Sequence, residues 1–310
     1  MKLNKKNINS IESTMYPLIL VDGNIYLYRA YYAYCSFHRF IKEKSFNIIY
    51  CVLNMLTNLL IKYNPSYFAI VFDYGGKNFR NKLFKFYKSH RKVMPIILSS
   101  QITPLRSIMN AMGLMTLTIP GVEADDVIGT LVSLFRCRNL NILISTCDKD
   151  ISQLVSDNVF IFNLISKVVF GPKDIFSKFG VLPHLIVDYL ALVGDTSDNI
   201  PGVPGIGKKN AVILLKNFGN LEYIYKKIEE VHVLRFIGSN IVDKLRKNYK
   251  VAWMSYYLAK IKTDVKLNIS HDDLIIKKPD FKKLDILFKK YKFNRWINIL
   301  NKKVWPWHFM

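Results

Sequence analysis

Acidic residues are scarce in this chain of 310 residues. Asp and Glu number 23 against 45 Lys and Arg, a formal net charge of +22. A surplus of that size points to a polyanion partner, nucleic acid or an anionic membrane. Lys, Asn, Ile, Tyr and Phe are all abundant, as AT-biased coding would produce, so part of the surplus is also explained by lysines on solvated faces. Cysteine is nearly missing. Cys35, Cys51, Cys137 and Cys147 form no CxxC pair and lie far from any HxxxH pattern, so a zinc site is not expected and free thiols are. No stretch reaches the roughly 18 apolar residues that span a bilayer, so no membrane partner is expected. Residues 1–15 are polar and lack an apolar leader core, which makes a cytoplasmic, nucleoid-associated protein the expectation. GxxxxGK[ST] is absent, so ATP hydrolysis is unsupported and no nucleotide cofactor is expected.

Half of the residues are apolar, and the length suits one large domain or two modest ones. Three short apolar runs stop at aspartates: "YPLILVDG" (16–23) at Asp22, "SYFAIVFDYGG" (66–76) at Asp73, and "LNILISTCDKD" (140–150) at Asp148. Runs this apolar fit parallel strands buried on both faces. Helical spacing lies between or beside them at 48–63, 102–113 and 124–137. The alternation predicts an α/β fold, a mostly parallel central sheet flanked by helices. From about 183 the texture turns helical, with "PHLIVDYLALVG" (183–194) and the lysine-rich "KKLDILFKKYKFNRWINIL" (282–300). The predicted layout is a polar extension at 1–15, an α/β unit at 16–182 and a helical unit at 183–310.

In open α/β sheets ligands sit outside the carboxyl ends of the strands. The acids at predicted strand ends and helix starts are Asp22, Asp73, Glu123, Asp125, Asp126, Asp148, Asp150, Asp195 and Asp198. Singly, each would serve as a turn former, a helix cap or a dipole partner. Gathered at one edge, they would bind protons or recruit cations. Hard oxygen ligands without His or Cys suit Mg²⁺ or Mn²⁺, and two such ions would clamp an in-line phosphoryl displacement.

"KNFRNKLFKFYKSHRK" (77–92) interleaves Lys77, Arg80, Lys82, Lys85, Lys88, Arg91 and Lys92 with Phe79, Phe84, Phe86 and Tyr87. Such a segment either engages phosphates and stacks unpaired bases or forms a solvated helix with its aromatics in the core. "GVPGIGKKNA" (202–211) sets Gly202, Gly205 and Gly207 before Lys208, Lys209 and a helix start. That pattern looks like a helix–hairpin–helix, over about 190–218, gripping a duplex backbone through its N–H groups.

Taken in order, "LVDGNIYLYRAYYA", "FDYGGKNFR", "YKSHR", "GVEADDVIGTL", "ISTCDKDISQLV" and "LVGDTSDNIPGVPGIGKKNA" closely resemble the 5′-nuclease domain of bacterial DNA polymerase I, within the flap endonuclease family. The resemblance covers about 16–300, and the chain looks like a free-standing form of that domain. It implies a PIN-like fold with a basic arch at about 77–100 and a divalent-metal 5′→3′ exonuclease and flap endonuclease. The substrates implied are DNA with 5′ ends, nicks or flaps and RNA–DNA primer junctions. A separate polymerase and ligase would be functional partners. By residue, it implies Asp73, Glu123 and Asp125 around a first ion, with Asp22 reached through water. Asp148, Asp150 and Asp198 would surround a second, with Asp126 and Asp195 in support. Lys88 and Arg91 would hold the scissile phosphate, Tyr87 would stack on a base, and Arg29 and Arg80 would contact DNA. K⁺ is implied at the Val203–Ile206 carbonyls. Cys147 stands where the family usually has Gly, and Asn24 and Ile25 replace small polar residues. The competing readings are a DNA-junction binder without turnover and an RNA-processing nuclease on the same scaffold.

Overall fold

The computed structural model describes residues 17–37, 47–136, 140–233, 240–303 and 305–307. The extension expected at 1–15 and the thiol of Cys137 lie outside the described residues. Six strands form one sheet: β1 (Leu18–Asp22), β2 (Tyr67–Val71), β3 (Met115–Leu117), β4 (Ile142–Thr146), β5 (Val159–Asn163) and β6 (Val169–Phe170). Their spatial order is β3-β2-β1-β4-β5-β6, parallel except for the β5–β6 pair. The helices are α1 (Gly23–Phe37), α2 (Asn47–Tyr63), α3 (Phe79–Leu83), α4 (Ile96–Ala111), α5 (Ala124–Arg136), α6 (Pro172–Phe179) and α7 (Ile186–Val193). After them come α8 (Lys208–Phe218), α9 (Leu221–Lys226), α10 (Ile241–Lys247), α11 (Tyr249–Ala259), α12 (Phe281–Lys290) and α13 (Asn294–Asn301).

Alternating side chains of β1 feed two cores. Leu18 and Leu20 pack with Val127, Ile128 and Leu131 of α5 and with the helical cluster of α7, α8 and α11. Ile19 and Val21 pack with α1, α2, α4, α12 and α13. Burial on both faces explains why these strands carry almost no polar residue. Gly129 lets α5 approach the 261–263 segment, since a Cβ there would fall 2.5 Å from Ile261 Cγ2.

Three expectations are corrected. The helix read at 102–113 starts at Ile96 and carries Pro104 inside it; a proline marks a break in sequence but is tolerated here. The helix read at 282–300 is two, parted at 291–293 where Lys292 takes the left-handed conformation (φ 57°). These two helices pack with α4 and the core on their sheet face, and do not join the helical cluster of α7–α11. The return path is a segment along the lower sheet edge, where the strands start. There Ile276 N–H donates to Ser66 O (3.1 Å), Lys277 N–H to Gly113 O (3.0 Å) and Asp280 N–H to Ala111 O (2.8 Å).

Candidate active site

The upper sheet edge, where the strands end, gathers the acids. Asp22 closes β1 and accepts Ile25 N–H at 3.2 Å and the Thr146 hydroxyl at 3.1 Å. Asp73, just past β2, accepts Ala124 N–H at 2.8 Å, which caps the start of α5, and a hydrogen bond from the Asn24 amide. Asp148 accepts Asp150 N–H at 2.8 Å. A cavity of about 1180 Å³ opens over Asp22, Asp73, Glu123, Asp125 and Asp148, with Arg29, Lys88 and Arg91 on its wall. Beside it stands a second group, Asp150, Asp195 and Asp198, whose carboxylate oxygens lie within 4.8 Å of one another.

Burial first, and mutual repulsion second, drive most of these groups away from ordinary carboxylate behaviour. Burial, then the charges of Asp73 and Asp148, push Asp22 up to about 7. Burial, then Asp148, Asp198 and Asp195, push Asp150 to about 8. Asp125 is raised well above the usual range by burial, Asp148 and Asp22. Asp195 differs: burial raises it, but hydrogen bonds from Lys149 and Ser197 outweigh that and hold it below the usual range. Asp150 Oδ1 is buried without a hydrogen-bond partner. An orphaned oxygen amid like charges, in a donor set without nitrogen or sulfur, fits a hard divalent cation.

Linkage gives this arrangement a sign. Asp22 and Asp150 have folded pKa values above their unfolded ones, so the stability linked to them is full below about pH 4 and is lost as pH rises through about 7–8. The melting temperature in EDTA should therefore fall between pH 6 and pH 8. Mg²⁺ should raise it more at pH 8, where ions do not compete with protons. Thermal melts at both pH values check this; equal Mg²⁺ shifts would count against it.

Cations span the two acid groups. Lys88 Nζ lies 2.8 Å from Glu123 Oε1 and 3.3 Å from Asp198 Oδ2, and Arg91 pairs with Asp198 Oδ1. Burial alone would lower the Lys88 ammonium, but Glu123, Asp198 and Asp125 more than offset it and raise it.

Two family models together match residues 17–282. The one described as "5'-3' exonuclease, N-terminal resolvase-like domain" covers residues 17–180, and "5'-3' exonuclease, C-terminal SAM fold" covers 181–282. A "5'-3' exonuclease" of Buchnera aphidicola subsp. Schizaphis graminum is 44% identical over 280 residues, which is 90% of this chain and 97% of that protein. The chain belongs to the 5'-3' exonuclease family. DNA polymerase I of Pseudomonas aeruginosa is 42% identical over 92% of the exonuclease, which spans 31% of that longer protein. Solved structures share the fold. The T5 D15 protein co-crystallised with metal ions superposes with a TM-score of 0.65 at 20% identity, over 92% of this chain and 98% of its own. The catalytic core of Rad2 in complex with DNA substrate gives 0.62 at 16%, over 95% and 94%.

Several residues of the exonuclease sit otherwise than expected. Arg80, expected at DNA, is 2% exposed. Its guanidinium clasps Asp126 at 2.7 and 2.8 Å, lies 3.1 Å from Glu123, and donates to the carbonyls of Leu258 and Lys260 at 2.9 Å. Asp126, expected to support a metal, is fully buried in that clasp, where it also accepts Glu123 N–H (3.0 Å) and Lys262 N–H (2.9 Å). The charge of Arg80 is thus spent inside the fold. Tyr87, expected to stack on a base, is 3% exposed, with its hydroxyl 3.0 Å from Glu123 Oε2 and 3.1 Å from Asp198 Oδ2. Gly202, expected to offer its N–H to phosphate, donates it to Ser255 Oγ at 3.1 Å. Its left-handed backbone (φ 65°) packs so tightly on Gly194 that a Cβ would fall 2.3 Å from Gly194 N. Gly205, Gly207, Lys208 and Lys209 are exposed, Gly207 capping the start of α8. Lys244 Nζ stands 3.4 Å from Gly205 O, and Val203 O accepts Ile206 N–H at 3.0 Å. An ammonium thus stands against one carbonyl of the segment where K⁺ was expected, and a second carbonyl there accepts a hydrogen bond within the loop.

Two contributors escaped the sequence reading. Asn24 holds Asp73, and Lys149 pairs with Asp195 and reaches Ser197 Oγ at 3.2 Å, tying the 148–150 loop to the 195–199 loop. The available signal for Lys149 was its place between two acids in "DKD". Cys147 lines the cavity, its Sγ 3.9 Å from Asn163 Oδ1.

Proposed function

We propose that the exonuclease hydrolyses DNA phosphodiesters near a 5′ end or flap by a two-metal mechanism, and removes RNA primers in replication and repair. Mg²⁺ is the proposed ion, with Mn²⁺ as a substitute. One ion would be held among Asp22, Asp73, Glu123 and Asp125, the other among Asp148, Asp150, Asp195 and Asp198. Bound there, such ions supply Lewis-acid polarisation of a phosphoryl oxygen and an activated water. The protein does the rest. Lys88 and Arg91 bring fixed positive charge to the cavity wall and would offset charge developing on the scissile phosphate. Exposed Gly207, Lys208 and Lys209 would engage one duplex arm through its backbone. A separate polymerase and ligase in the cytoplasm would supply the nick and seal it.

The observation that carries this reading is the meeting of two acid groups at one sheet edge, with Lys88 reaching both. The test is product-resolved cleavage of a 5′-flap duplex with Mg²⁺, wild type beside Asp73→Ala. Metal-dependent cutting by the wild type, lost in the variant, is the expected result. No metal-dependent product from the wild type would leave a junction binder. Equal cutting of a lone single strand would favour an RNA-processing nuclease.

A further inference from the structure

The helical unit carries an aromatic surface that the cutting site does not use. Residues 244–262 hold six Lys and Arg and no acid, with Tyr249, Trp253, Tyr256 and Tyr257 set among them. On α11 the buried residues are Ala252, Ser255, Leu258 and Ala259. The helical period turns the four rings to the opposite face. They form one ribbon. Tyr225 of α9 meets Tyr249 with ring centroids 4.8 Å apart, and Trp253 lies 6.4 Å from Tyr249, 5.4 Å from Tyr256 and 6.2 Å from Tyr257. Tyr249 is 50% exposed and Tyr257 54%, so both keep much of a ring open to solvent. Lys260 Nζ stands 5.7 Å from the centre of the Tyr256 ring. Lys250 and Lys260 are exposed and have no ion-pair partner among the described residues.

The composition selects the occupant. Protein interfaces favour aromatic residues but are depleted in lysine. Open rings interleaved with unpaired ammonium groups fit unpaired nucleic acid, whose bases stack and whose phosphates take the charge. The position names a source for such a strand. α11 ends against the start of the basic 77–92 segment: the Leu258 and Lys260 carbonyls hold Arg80, and Lys262 Nζ lies 5.5 Å from the centre of the Phe79 ring. That segment runs on to Lys88 and Arg91 on the cavity wall. A strand leaving the cavity over 77–92 therefore arrives at the last turn of α11. From Tyr257 back to Tyr249 the ribbon extends about 12 Å, room for a few nucleotides. The duplex loop does not compete for this face, because Gly202 N–H is held by Ser255 on the buried side of the same helix.

We propose that the outer face of α11, through Tyr249, Trp253 and Tyr257 with Lys250 and Lys260, binds the unpaired strand displaced from the substrate once it has passed 77–92, stacking its bases on the rings. The proposal rests on the nuclease reading above. It makes affinity grow with the length of the unpaired strand, through contacts separate from the acids.

The test compares wild type with Tyr249→Ala plus Tyr257→Ala, both at exposed positions, after melting curves verify the fold. Binding is measured in EDTA to a nicked duplex without a flap, to the same duplex with a long thymidylate flap, and to that flap made of abasic linkers. The double variant should bind the thymidylate flap roughly tenfold more weakly and the bare nick less than about twofold more weakly. The abasic flap should bind both proteins alike. Lys250→Gln with Lys260→Gln should flatten the salt slope for a free thymidylate strand by about 0.7 for each phosphate no longer neutralised. Fluorescence gives the location. Trp296 and Trp307 lie in the other core with Trp305 packed against it, so thymidylate should quench Trp253 alone. Trp253→Phe, which keeps a ring, should abolish the quench while affinity stays within about twofold. Equal losses on nick and flap, or a quench that survives Trp253→Phe, overturns the proposal. So does unchanged flap affinity, and a dimer dissociated by the same double variant would then assign the ribbon to a contact between copies. Wild-type cleavage with Mg²⁺ is assayed separately: failure of the nuclease reading shows as absent product, and failure of this one as a ribbon variant that binds the flap like wild type.

Discussion

Asp125→Asn should cut turnover on a 5′-flap duplex by roughly 10³-fold, about 4 kcal/mol of barrier, while substrate affinity stays within about threefold. The same change should raise the melting temperature in EDTA at pH 8. Both effects have one cause. Asp125 is pushed up by burial and by the charges of Asp148 and Asp22, so its ionised form is disfavoured in the folded site. A neutral amide of the same shape relieves that repulsion and forfeits a hard ligand. Most stabilising substitutions in a core add contacts; this one removes charge from a site whose strain serves chemistry. Single-turnover rates, binding curves and a melt in EDTA test the pair. A loss mainly in affinity, or a drop in melting temperature, would remove Asp125 from the ion-binding role.

The largest stability effect is expected at Arg80, not among the surface lysines. Arg80→Met leaves Asp126 buried and unpaired and strips donors from Glu123 and two carbonyls. Breaking one side of a buried pair costs about 3–5 kcal/mol, which for a chain of this size lowers the melting temperature by roughly 6–20 °C. Arg80→Met with Asp126→Leu should recover part of that loss, since the stranded charge goes with its partner. Catalysis should fall in both proteins, because Glu123 loses the guanidinium beside it. A melting temperature within about 2 °C of wild type for Arg80→Met would mean that the clasp is water-accessible after all.

The sequence was informative wherever one physical signal dominated. β1, β2 and β4 stood out because strands buried on both faces admit only apolar residues, and each runs into an aspartate. β5 is as apolar but ends in Asn163, and β3 has three residues, too few for a pattern. The acids were legible because a basic chain has few of them to place. Their grouping was not: Asp195 stands in the close trio with Asp150 and Asp198, and Asp148 also faces the cavity. Arg80 shows the reason. Within 77–92 it reads like every neighbouring cation, and only folding brings the Leu258 and Lys260 carbonyls and Asp126 to it, far away along the chain. Charge in a sequence states what must be neutralised, and tertiary structure decides by whom. The same holds for Tyr87, whose position beside Lys88 suggested a base and whose hydroxyl faces two carboxylates.

The clasp around Arg80 also bears on synthesis. Its carbonyl acceptors, at Leu258 and Lys260, are translated after every acid of the cavity has been made. A ribosome-bound chain short of that point holds Asp126 and Glu123 without the carbonyl partners that seat their guanidinium. The acids beside Arg80 would then be held in their final arrangement only after residues 258–260 have been made and have folded back onto it.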